Sequence, residues 1–214
     1  MSNHRKHNNA LTRNVAWTHC DSGPLDLGPT TTMHSSGYLD ASIDFEAESY
    51  RPASKSGDSP ACWSPGYLKH QKGEIVGIYA DLIALTSQGV SANQVYRWLI
   101  AQGLTGLAWP TTTSTRARPS CCTILLLDST VDQHQYTRIW LKLAAEVFGN
   151  TSDPAQADFR HRFEYPCTPN SNSQLLRHDA RALPASYGLI LDAIRIGSET
   201  ITFARQCVSS ASMK

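Results

Sequence analysis

The stretch "TTTSTRARPSCCTILLLD", Thr111 to Asp128, holds the reading of the fold. Its second half, "CCTILLLD", is a run of aliphatics that stops at an aspartate, which predicts a buried strand. Side chains alternate along a strand, so Cys121 and Cys122 should point to opposite faces. The threonine-rich first half carries Arg116, Arg118 and Pro119. It reads either as an ordinary hairpin loop or as a loop that held phosphates.

Periodic segments extend outward from this strand. Downstream, Tyr136, Ile139, Trp140, Leu143, Ala144 and Val147 recur at helical spacing, with Asp132 as N-cap and Gly149 as terminator. Upstream, "EIVGIYADLIAL" opens at Glu74 with strand-like alternation. Ser91 can cap the helix "ANQVYRWLIAQ", where Val95, Trp98, Leu99 and Gln102 share a face and Gly103 supplies the stop. "LTGLAWPTT" reads as a second strand and "RFEYP" as a fourth. The order strand, helix, strand, strand, helix, strand predicts an α+β fold: a split βαβ antiparallel sheet with its helices on one face.

Residues 71–195 therefore form the expected core domain. Residues 1–70 are rich in Ser, Thr, Gly, Pro, Asn and His and read as a poorly ordered or loosely packed, irregular N-terminal arm around "YLDASIDFEAESY", while 196–214 form a C-terminal tail. A hydrophobic content of 41% and a charged content of 17% are ordinary for a globular protein. The net charge of +1 gives no bulk attraction to nucleic acid, so such contact needs a local patch. The six cysteines form no CxxC pair, which argues for free thiols in a reducing cytoplasm. No apolar run approaches the ~20 residues that span a bilayer, and the basic N-terminus has no apolar segment behind it, so no membrane role or secretory signal is expected.

From about Ile43 to Leu189 the chain resembles the archaeo-eukaryotic primase superfamily, in particular the replication proteins of plasmids, phages and integrated elements. The resemblance is carried by "IVGIYAD", "TTTSTRARPSCCTILLL" and "DPAQADFRHRFEYP", in that order with the long helix between the last two. It implies template-directed primer synthesis by nucleotidyl transfer, with Mg²⁺ or Mn²⁺ held by the catalytic carboxylates Asp81 and Asp153. It also implies nucleotide contacts from Ser114, Thr115, Arg116, Arg160, His161 and Arg162. The partners implied are single-stranded or primer-template DNA, nucleotides and replication proteins. Several positions depart from the family pattern. Tyr79 stands where a first acid is expected, Thr115 where a histidine is expected, and Ser120 and Cys122 where arginines are expected. A hydroxyl or thiol cannot replace a guanidinium fork on a phosphate. The expectation is a catalytically weakened or inactive primase-type core, a pseudoenzyme of a mobile element. No P-loop occurs in these residues, so a full replication initiator is not expected.

Plainer readings exist for each feature. Asp81 alone reads as a strand-end aspartate, and "DPAQAD" as a turn of Asx character. In a strand, Arg160 and Arg162 would share one solvated face. A non-catalytic nucleic-acid-binding or protein-interaction module on the same fold is the alternative. An RRM-type base-stacking sheet fits poorly, because "CCTILLLD" has no aromatic residue.

Overall fold

A computed structural model of the chain describes residues 15–20, 32–35, 62–72, 74–164 and 175–188. "YLDASIDFEAESY" and the tail 196–214 lie outside the described residues. The elements run β1 (Val15–Cys20), β2 (Thr32–Ser35), β3 (Cys62–Ser64), β4 (Gly66–Gln71), β5 (Glu74–Gln88), α1 (Ala92–Gln102), β6 (Gly106–Pro110), β7 (Ser120–Val131), α2 (Gln133–Glu146), a 3₁₀ turn (Pro154–Ala157), β8 (Phe163–Glu164) and β9 (Leu176–His178).

The fold is α+β, with two antiparallel sheets. The larger has the order β4-β5-β7-β6-β9 and the smaller β2-β1-β3-β8. The quoted strand lies in the middle of the larger sheet and is covered twice. On one face Ile83, Leu85, Cys121 and Leu125 pack with Val95 and Leu99 of α1 and Ile139 and Leu143 of α2. On the other, Leu82, Ala84, Trp109, Cys122 and Ile124 pack with Val15, Trp17, Trp63 and Phe163 of the smaller sheet. Helices, large sheet and small sheet thus form three layers. The adjacent cysteines divide between the two cores, as strand alternation requires.

Both helices are closed by local sequence. Ser91 and Asp132 each accept the N–H three residues on, while Gln94 and Gln135 reach back to the cap N–H, forming two capping boxes. Gly103 ends α1 at φ 60°, a left-handed conformation that glycine adopts without steric cost.

The order β5-β7-β6 is the split βαβ arrangement, but the fourth strand goes elsewhere. "RFEYP" contributes β8, which pairs with β3 of the smaller sheet, and Phe163 stacks on Trp63 at 5.2 Å. The edge of β5 is taken by its hairpin partner β4 and, further along, by Ser152 bridging Ser87 and by Gln156 accepting the Thr86 N–H at 2.7 Å. A hairpin partner next in sequence closes a far shorter loop than a returning strand, at a smaller entropic cost. Within 1–70, the described residues form β1 to β4. Beyond β8, the segment 175–188 adds β9 at the far edge and lies against α2. There the Tyr187 hydroxyl donates to Glu146, and the Lys142 ammonium sits 4.2 Å from the Tyr187 ring centre.

Candidate functional site

Asp81 sits where the β5–β7 register breaks: Ala80 pairs with Val131, but Leu82 pairs with Leu126. The extra residues on β7 bulge, and Thr130 within that bulge turns towards β5. Asp81 is 3% exposed. Its carboxylate accepts the Thr130 hydroxyl at 2.7 Å and the Ala16 N–H at 3.2 Å. The aspartate therefore ties the small sheet to the two longest strands of the large one.

Asp153 belongs to a different place. It caps the 3₁₀ turn, accepting the Ala155 N–H at 3.0 Å, and is exposed. Its neighbour Ser152 bridges Ser87, six residues along β5 from Asp81. At about 3.3 Å per residue that is roughly 20 Å along the strand. From Ser152 the chain runs back along the β5 edge, so Phe159, whose carbonyl accepts the Gly66 N–H, is what reaches the level of Ala80. The expected meeting of the carboxylates at 81 and 153 does not occur. No group of three or more His, Cys, Asp or Glu side chains arranged for a metal is found among the described residues. These two carboxylates, one engaged by protein donors and one distant, do not fit a shared Mg²⁺ or Mn²⁺ site.

The loop joining β6 to β7 is ordered by its own hydroxyls. The Thr111 hydroxyl donates to Ser120 Oγ at 2.8 Å, Ser114 Oγ accepts the Ser120 N–H at 3.0 Å, and Thr115 Oγ1 accepts the Arg118 N–H at 3.0 Å. Ser114 and Thr115 are thus turn-forming residues, and Arg116 and Arg118 are exposed on the loop. The loop is a hairpin connection, and its first threonines line a cavity.

That cavity, of about 290 Å³, opens where the two sheets part. Its large-sheet side is the ends of β5 and β6 with the loop: Thr86, Gln88, Trp109, and Pro110 to Thr113. Ser120 and Cys122 form the floor, and His161 to Glu164 form the opposite wall. Of the expected nucleotide contacts, the structure brings His161 and Arg162 into this cleft. Arg162 Nε is buried there without a hydrogen-bond partner. Arg160 is turned away and forked onto Asp158, with Nε at 2.9 Å and Nη2 at 2.5 Å from the carboxylate oxygens. That hydrogen-bonded pairing raises the Arg160 pKa further above its ordinary value. Because residues 160 to 162 precede β8 rather than lie in it, the two arginines do not share a strand face.

His161 packs edge-on to Phe163 at 4.9 Å, and burial pushes its pKa below 6.5 against the pull of Asp153 and Asp158. The imidazole is therefore neutral at pH 7, with both donor and acceptor capacity. Cys122 is held as a protonated thiol, its pKa driven up by burial, and is no nucleophile. The cleft can thus bind but offers no activated nucleophile. Thr86, Gln88, Trp109 and Glu164 were not legible as site residues. Nothing local marks them, because their exposure depends on where the second sheet ends.

No family model matches the chain, and no curated protein matches it. Among solved structures it is similar to the polymerase domain of ligase D from Mycobacterium tuberculosis in complex with DNA, at 13% identity and a TM-score of 0.36, over 92% of this chain and 86% of that one. That degree of likeness fixes neither fold nor function here. Among the described residues no helix is long and apolar enough to cross a membrane.

Proposed function

We propose that this chain is a nucleotide- and single-strand-binding module on a primase-type core, and that it works by binding rather than by nucleotidyl transfer. One observation carries the reading: the cleft gathers a hydroxyl-rich loop, a tryptophan and a guanidinium whose buried Nε has no partner. Guanidinium and phosphate geometries match in a fork, and neutral hydroxyls add donors without fixing a base identity. The binding-only reading is supported by Asp81, whose carboxylate already serves two protein donors. In the cell, the module would serve replication of a mobile element, with primer-template DNA and replication proteins as its partners.

Fluorescence anisotropy with labelled single-stranded DNA and RNA across a salt series tests this. Affinity should fall with salt, with a slope of about −0.7 for each phosphate contact that releases a counterion. Arg162→Ala should weaken binding by about 10–100-fold, the worth of a charge-assisted hydrogen bond. Primer products formed with Mg²⁺ or Mn²⁺ that disappear in Asp153→Ala would overturn the binding-only reading.

A further inference from the structure

We infer that the cleft accepts a nucleotide unit bearing one phosphate, free or within a strand, and disfavours the triphosphate form. The inference rests on the nucleotide-binding reading above and adds which ligand the site selects. Charge is the first argument. Among the described residues lining the cleft, Arg162 is the one guanidinium, and Glu164 contributes a carboxylate to the same wall. Arg160, next but one in sequence, is already neutralised by Asp158 at 2.5 Å. His161 brings no positive charge at pH 7, because burial holds it neutral. A triphosphate would set about four negative charges against one cation and a carboxylate, whereas a single phosphate group matches one guanidinium.

Compensation by a divalent ion is also unsupported by the surroundings. Neither Asp81 nor Asp153 lines the cleft, and the nearest carboxylate, Glu164, is a single ligand. Volume is the second argument. About 290 Å³ lies at the low end of small-molecule sites, which span ~300–1,000 Å³. That suits one nucleoside with one phosphate. The polar groups are distributed to match. Arg162 lines the cleft together with Thr112 and Thr113 of the loop and Gln88, whose amide carries both a donor and an acceptor.

Titration calorimetry on the full chain, in Mg²⁺-free buffer, tests the inference with thymidine monophosphate, thymidine triphosphate and a short oligothymidylate. The expected result is monophosphate binding at least ~10-fold tighter than triphosphate, and oligothymidylate tighter than either. Glu164→Gln should narrow the gap by strengthening triphosphate binding. Arg162→Lys, which keeps the charge and loses the fork, should retain more monophosphate affinity than Arg162→Ala, with melting temperatures of all variants recorded to exclude misfolding. Triphosphate binding as tightly as monophosphate, or tighter, would overturn the inference and leave the binding reading standing. So would oligothymidylate binding with no mononucleotide binding at all. Failure of all three ligands to bind the folded protein would sink the nucleotide-binding reading itself.

Discussion

Replacing Asp81 with alanine separates a structural aspartate from a catalytic one. The substitution strands the Ala16 N–H and the Thr130 hydroxyl, both now satisfied by the carboxylate in a site where Asp81 is 3% exposed. The orphaned buried Ala16 N–H costs about 1–3 kcal/mol and the part-buried Thr130 hydroxyl less, so the loss should be about 2–4 kcal/mol. That is a large share of a total stability of about 5–15 kcal/mol. For a chain of this size each kcal/mol moves Tm by about 2–4 °C, so a loss near 3 kcal/mol should lower Tm by about 6–12 °C. Urea denaturation followed by tryptophan fluorescence suits the assay, because Trp17 and Trp63 lie in the sheet that Asp81 anchors. Asp153→Ala removes only an exposed cap and should cost about 1 kcal/mol. A metal ligand behaves oppositely: its removal relieves unpaired charge in metal-free buffer and abolishes Mg²⁺-dependent stabilisation. If Asp81→Ala left stability within about 0.5 kcal/mol of the parent, the range of an inconsequential surface change, the anchoring role would be refuted.

Three further outcomes follow from the geometry. Gly66→Ala would set a Cβ 2.8 Å from Phe159 Cδ2 and 3.0 Å from its carbonyl oxygen, and overpacking there should cost about 1–3 kcal/mol by chemical denaturation. Gly103→Ala meets no neighbour, so its cost is the left-handed backbone alone, about 1–2 kcal/mol, visible as a lowering of both the thermal and the urea midpoint. His161 has a folded pKa below its unfolded 6.5, so the unfolded chain binds the extra proton first. Its contribution is full above pH 6.5 and is lost as pH falls through the folded value; His161→Gln should flatten that part of the stability–pH profile. Phosphate binding should move the other way, strengthening as His161 gains charge beside Arg162.

Much of the large sheet was readable because its determinants are local. The caps at Ser91 and Asp132, the stop at Gly103 and the opposed cysteines each depend on residues within a few positions. Asp153 as an Asx-type cap was likewise available from "DPAQAD" alone. The features that the sequence does not reveal are long-range. "RFEYP" carries strand character but nothing that names its neighbour, and Trp63, 100 positions from Phe163, is what captures it. Asp81 looked like half of an acidic pair because its strand ends in an acid. Only the bulge that turns Thr130 inward, and the arrival of β1, reveal what the carboxylate holds. Arg160 and Arg162 were indistinguishable in sequence; Asp158 separates them by taking one.

The small sheet is stitched from distant parts of the chain, and this sets an order of assembly. Hairpins β4–β5 and β6–β7 close between near neighbours, whereas His19 must find Trp63 and Trp63 must find Phe163. Contacts of such separation are slow to form, because loop closure is costly before it is rewarded. The cleft wall at 161–164 therefore docks late, onto a helix-backed sheet that already exists. A nascent chain completes its cleft only in that final step.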